Sequence, residues 1–304
     1  MNLTIDENLG ILQETVQRFA SQQLTTEGLT QGFTAAEKEQ LFGGLTELGV
    51  FHVTLSEDQG GFGFGPLALP LILESIGAAN PSLAAYLAFH LALADPASPE
   101  TPCAVGVTPT SGQTARLFSF LDAPESTRIL TGPTIAAPVA TTVTAKASPD
   151  ALGLSGLHHT TCDLDGAPSS PVDNSALSSL MTALAATAVG LSQGALREGL
   201  AYAAEREQFG KALNRFQAIQ FKLADMEAHR LSAQWLTYRA ATDSTLAAAA
   251  LSRATESAAF IADEALQIHG GYGYTKEYPV ETFFRDAQEL RRIAADTLAL
   301  HWSL

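Results

Sequence analysis

From Ser175 to Glu207 the chain reads SALSSLMTALAATAVGLSQGALREGLAYAAERE, a proline-free run of Ala, Leu and other strong helix formers. A helix this apolar around most of its circumference has to be surrounded by other elements. Two more helical stretches follow, roughly Phe216 to Thr242 and Leu246 to Ile268, with short connections that favour antiparallel neighbours. Gly190 and Gly194, one turn apart, are spaced for close approach of a second helix. Residues 173–304 therefore read as a C-terminal helical bundle, and no internal repeat is visible.

Residues 1–97 read as an N-terminal helical domain, with Leu9, Leu12, Val16 and Phe19 at helical spacing. Within it, LGVFHVTLSEDQGGFGFGPL places Gly60, Gly61, Gly63 and Gly65 in a flexible connector ahead of the helix LALPLILESIGAANP. Across residues 98–172 Pro, Thr, Ser and Gly become dense, and CAVGV, ARLFSFL and TTVTAKA have strand-like content. This middle region reads as a reduced β-rich domain able to hold a few short strands. His158 and His159 sit together there without Cys, Asp or Glu at ligand spacing, which reads as a solvated turn; no metal site is expected.

Composition narrows the function. With 32 Asp and Glu against 17 Lys and Arg, the net charge is -15, which opposes binding to a nucleic-acid backbone. No run of about 18 apolar residues reads as a membrane span. The first thirty residues do not read as a secretory signal. The two cysteines, Cys103 and Cys162, are too few for a disulfide framework, so a cytoplasmic location is the expectation.

Any anion such a chain holds must be met locally, and REQFGKALNRFQAIQFKLADM gathers Arg206, Lys211, Arg215 and Lys222. One helix stops near Glu207 and another starts near Phe216, so the turn at Gln208, Phe209 and Gly210 can present Arg206 with an aromatic ring and free backbone N–H groups to a diphosphate. In EALQIHGGYGYTKEYPVETFFRDA a helix ends at Gly270 and Gly271, letting a ligand approach the backbone, with Gln267 one turn earlier. Tyr272, Tyr274, Tyr278 and Pro279 then fix a rigid loop.

These two stretches, together with LTELGVFHVTLSEDQGGFGFGP, resemble the motifs of the acyl-CoA dehydrogenase family, FAD enzymes that form a double bond between the α and β carbons of an acyl thioester. The resemblance spans most of the chain and implies a mainly α fold in the order already read: helical domain, β-domain, four-helix bundle. In that family the Arg-x-x-Phe-Gly turn and the Gln-x-x-Gly-Gly helix end reach across a dimer interface to the ADP half of FAD in the neighbouring subunit. The resemblance thus assigns Arg206 to the pyrophosphate, with Gln208, Phe209, Gln267, Gly270 and Gly271 around it. Lys222, further along, is left as a solvated residue.

Other family features are missing. The carboxylate that removes the α proton lies shortly after the RDA motif in most members. Counting without gaps from Arg285, Asp286 and Ala287 places Ala294 there, and a methyl group cannot take a proton. Some members carry the base on a long bundle helix; the corresponding stretch TYRAATDSTLAAA offers Asp243 as a candidate, with a helix-end cap as the alternative reading. Glu289 is nearby but points in another helical direction. Neither the LTEP…AGSD-like loop nor the WITNA-like strand of the family's flavin seat is present, VTPTSG at Val107 to Gly112 being at most a remnant. The resemblance therefore implies a small, non-catalytic subunit of a heteromeric α2β2 acyl-CoA dehydrogenase, a class that includes enzymes of steroid or bile-acid side-chain breakdown. A larger α subunit would supply the base and the acyl-CoA pocket and share its FAD. The alternatives are a cofactor-free binding, tailoring or structural protein on the same fold, and an active homodimeric flavoenzyme using Asp243.

Overall fold

The computed structural model describes residues 7–93, 97–108, 114–121, 126–131, 134–136, 146–147, 153–163, 169–171 and 174–303. The chain begins with five helices, α1 (Glu7–Gln23), α2 (Thr26–Gln31), α3 (Ala35–Glu47), α4 (Ala68–Gly77) and α5 (Pro81–Leu93). Their starts are written locally. Thr34 and Glu37 form a reciprocal capping box at the head of α3. Asn80 Oδ1 accepts from the Leu83 N–H at 2.9 Å, and Pro81 occupies the first turn of α5, where its missing N–H costs nothing. The glycine-rich connector follows the expected course, with a short 3-10 turn at Glu57–Gln59 ahead of α4.

The middle region differs from the expectation of a few strands. β1 (Cys103–Thr108), β2 (Thr114–Ser119), β3 (Ser126–Thr131), β4 (Thr134–Ala136), β5 (Lys146–Ala147), β6 (His158–Asp163) and β7 (Ser169–Pro171) make one seven-stranded sheet, ordered β5-β6-β2-β1-β3-β4-β7. The β1–β3 pair is parallel and the other pairs are antiparallel. CAVGV and ARLFSFL supply β1 and β2; most of TTVTAKA, and VTPTSG beyond Thr108, lie outside the described residues. His158 and His159 begin β6 rather than forming a solvated turn. His158 Nε2 meets Lys38 Nζ at 2.7 Å, and His159 Nε2 donates to the Leu154 carbonyl at 2.9 Å.

Four long helices complete the chain: α6 (Asn174–Glu205), α7 (Gln217–Thr242), α8 (Ala247–His269) and α9 (Val280–Ser303). α6 is the central post and touches α4, α5, α7, α8 and α9. By length and composition it passes the test for a membrane span, against the sequence expectation, yet 78% of its apolar window is buried within the fold. The composition of α6 follows from this central place in the core, where Leu180, Leu184, Val189 and Leu191 are fully covered. A Cβ on Gly190 would come within 2.4 Å of the Glu74 carbonyl oxygen, so α4 and α6 touch through backbone. Beside that contact the buried Glu74 carboxylate accepts from Tyr238 Oη at 2.6 Å and from Gln234 Nε2, tying α4 to α7.

Candidate functional site

α6 ends at Glu205, and the chain turns back through a two-stranded hairpin, β8 (Glu207–Gln208) and β9 (Lys211–Ala212). Its tip is Phe209 and Gly210, with φ of 52° and 80°. Two successive positive φ values form the tight turn that matches the twist of paired strands, and a bulky residue there is strained. At the tip of the hairpin Phe209 is 93% exposed.

Arg206 is anchored from both sides. Its N–H donates to the Tyr202 carbonyl at 2.9 Å, and its carbonyl accepts from the Leu213 N–H at 2.8 Å. The exposed guanidinium lies 5.6 Å from the centre of the Tyr272 ring, and among the described residues no carboxylate pairs with it. In a chain of net charge -15 such a guanidinium has the chemistry to meet an anion locally.

The second wall is the end of α8. Gly270 caps it with φ 59° and ψ -136°, a backbone state suited to glycine, and leads into the 3-10 turn Gly270–Tyr274. A Cβ at Gly271 would meet nothing within 4 Å, so the backbone there is open to a ligand. Both walls face one cavity of about 560 Å³ lined by Arg206, Gln208, Gly270, Gly271 and Tyr272, among others. The structure thus brings together four of the six residues assigned from the sequence, Arg206, Gln208, Gly270 and Gly271. Phe209 stands at the hairpin tip, and Gln267 is exposed one turn earlier; neither lines this cavity.

Sequence reasoning missed the floor. Tyr202 stacks on His269 at 4.2 Å with an interplanar angle of 26°, and Tyr278 closes edge-on at 5.5 Å from Tyr202. His269 Nδ1 donates to the Ala265 carbonyl at 2.8 Å, and burial holds its pKa below the usual range, so the ring is neutral. The position of Tyr202 one turn before Arg206 was the available signal. Lys222 is not free in solvent: it forms an ion pair with Glu264 of α8. Lys211 covers the Phe216 ring at 4.1 Å.

The positions considered for a base have other surroundings. Ala294 lies inside the unbroken helix α9 and is 2% exposed. Glu289 is buried between Arg292 at 2.8 Å and Arg116 at 3.6 Å. Asp243 caps the 3-10 turn after α7. Its carboxylate accepts from Thr245 Oγ1 at 2.6 Å and from Arg239 at 3.3 Å, and the Thr245 hydrogen bond holds its pKa below the usual carboxylate range.

The FAD that the fold implies fits this site in part. The cavity is open and supplies a guanidinium, bare glycine backbone and an aromatic floor, the donor set of a nucleotide diphosphate edge.

Comparison with known proteins gives the family and the fold. Residues 6–98 match the family model for the acyl-CoA dehydrogenase N-terminal domain, and residues 172–294 match that for the acyl-CoA dehydrogenase C-terminal domain. A 3-(aryl)acrylate reductase of Clostridium sporogenes is 45% identical over 112 residues, covering 34% of this chain and 30% of that protein. The match to this curated relative thus spans about a third of its length. Among solved structures, butyryl-CoA dehydrogenase of Megasphaera elsdenii superposes with a TM-score of 0.78 at 22% identity, covering 97% of this chain and 98% of that one. A variant of the Tcur3481-Tcur3483 steroid ACAD gives a TM-score of 0.73 at 23% identity, covering 99% and 98%. At these identities the superpositions establish the fold; with the two domain models, which together cover more than two thirds of the sequence, they place this chain in the acyl-CoA dehydrogenase family.

Proposed function

We propose that this chain is a non-catalytic subunit of a heteromeric FAD-dependent acyl-CoA dehydrogenase and that it completes the ADP side of a flavin site on a larger partner subunit. One contrast carries the reading. The cavity edge assigned to a nucleotide has Arg206, unpaired among the described residues, beside the Gly270–Gly271 helix end, whereas the position expected for the base is Ala294, buried in mid-helix.

In such a complex Arg206 would neutralise the pyrophosphate, the Gly271 backbone would admit it closely, and Tyr272 would hold the guanidinium in place from its far face. FAD, when bound, supplies the hydride acceptor for α,β-desaturation; the partner provides the acyl-CoA pocket and the base. An apolar face favours a partner of this kind: Phe221, Leu231 and Trp235 of α7 are 62%, 37% and 52% exposed at spacings that bring them to one side of the helix. The double name of the Tcur3481-Tcur3483 steroid ACAD is a precedent on the same fold, and a steroid side-chain thioester is the substrate class we favour. A cytoplasmic location suits Cys103, a buried free thiol whose pKa burial pushes up to about 12.

Substitution of Arg206 tests the assignment. Arg206→Ala, purified with the partner, is expected to weaken flavin retention about tenfold or more, the loss of one charge-assisted diphosphate contact. Unchanged flavin affinity would show that Arg206 meets no pyrophosphate.

A further inference from the structure

At the other end of α6 the fold forms an open cavity of about 690 Å³. Ser178 lies near the first turns of that helix and Arg206 just beyond its last, so at 1.5 Å per residue the two are about 40 Å apart. The cavity exists because its walls are built from small residues. α6 contributes Ser175, Ser178, Ser179 and Thr182 on one face, while the last turn of α7 and the turn after it contribute Ala240, Ala241 and Ser244. The glycine connector forms the opposite side, where Gly63 and Gly65 leave room beside Phe64.

The lining has a chemical sense. Val53, Phe64, Leu69 and Pro70 make the interior apolar. Thr182 Oγ1 donates to the Ser178 carbonyl at 2.9 Å, so that hydroxyl is committed to its own helix. Ser178 and Ser179 are half-buried, and among the described residues their hydroxyls have no partner. Glu57 and Asp58, from the connector, are the charged residues of the lining, which holds no Lys, Arg or His. Two acidic groups and no cation reject phosphates and carboxylates, in a chain whose net charge is already -15. The volume falls within the range of small-molecule sites, and such sites combine apolar walls with a few placed polar groups.

We propose that this cavity is a second ligand site, for an uncharged molecule with a compact apolar body and one hydroxyl or carbonyl group. The Ser178 and Ser179 hydroxyls of α6 meet its polar atom, and Val53, Phe64 and Leu69 enclose the body. The nucleotide end of a CoA thioester does not suit this lining, so the occupant is a free neutral molecule and not the thioester itself.

A matched pair of probes reads this out. 1-Adamantanol and adamantane-1-carboxylate share one rigid apolar body and differ in charge, and their binding to the full chain can be followed by ligand-observed NMR. The alcohol is expected to bind saturably and at least about tenfold more tightly than the carboxylate. Ser178→Leu and, as a gentler change, Ala241→Val fill the cavity from two walls and are expected to weaken the alcohol by about tenfold or more. Thermal melts of both variants show that each is folded, and either one suffices. Equal binding of the two probes, no saturable binding of the alcohol, or full affinity in a folded filled variant would overturn the proposal.

Discussion

Asp286 shows how much one buried residue can carry. Its Oδ1 accepts from the Leu154 N–H at 2.6 Å and its Oδ2 lies 3.5 Å from the Ser82 hydroxyl, so a single carboxyl joins α9, the end of the sheet region and α5. Complete burial pushes its pKa up to about 7, against the lowering effect of the Leu154 hydrogen bond and of Arg285. In the unfolded chain the same group ionises near 3.9, so across that window the folded protein holds a proton that the unfolded chain has released. Stability therefore falls as pH rises from about 4 to about 7 and stays lowered above it. Asp286→Asn keeps the acceptor for Leu154 and removes the charge. Thermal melts are expected to show it more stable than the parent at pH 8, by on the order of 4 kcal/mol, with the gain shrinking toward pH 4. An equal shift at both pH values would contradict that origin. At this scale Arg206 was legible through the family motif, since a lone cation at a helix end reads equally well as a solvated one. Lys222 was not, because its partner Glu264 lies 42 residues away on another helix, a contact that exists only after α7 and α8 have packed.

Elements were legible wherever periodicity could accumulate. The long helices gave their own signal through strong helix formers and spaced apolar residues, and both the Phe209–Gly210 turn and the Gly270 cap followed from turn chemistry. The sheet was under-read for a physical reason. β4 and β7 have three residues and β5 has two, too short for an alternating pattern to rise above its surroundings, and their pairing joins distant segments. The apolar length of α6 was likewise ambiguous until its neighbours were known, since a core helix and a membrane span share that composition. The same packing yields a prediction. Gly190→Ala forces a methyl group against the Glu74 carbonyl and must push α4 from α6, so it is expected to cost about 1–3 kcal/mol in chemical denaturation. The helix propensity of Ala would by itself give a small gain, so a more stable variant would show that the α4–α6 contact is soft.

For the molecule as a whole, the fold and the proposed nucleotide edge point outward. Its exposed groups include a guanidinium that no carboxylate among the described residues pairs with, a 93% exposed Phe209 and the apolar side of α7, while Ala294 lies in the core. The family motifs made the first of these visible in the sequence, and the stacking of Tyr202 on His269 emerged only from the packing of α6 against α8. The most direct measurement is the flavin content, by absorbance spectrum and protein mass, of the chain purified alone and purified with a full-length partner of the same family. The account predicts essentially no FAD on the chain alone and one FAD per pair of unlike subunits in the complex. Stoichiometric FAD on the isolated chain would contradict it.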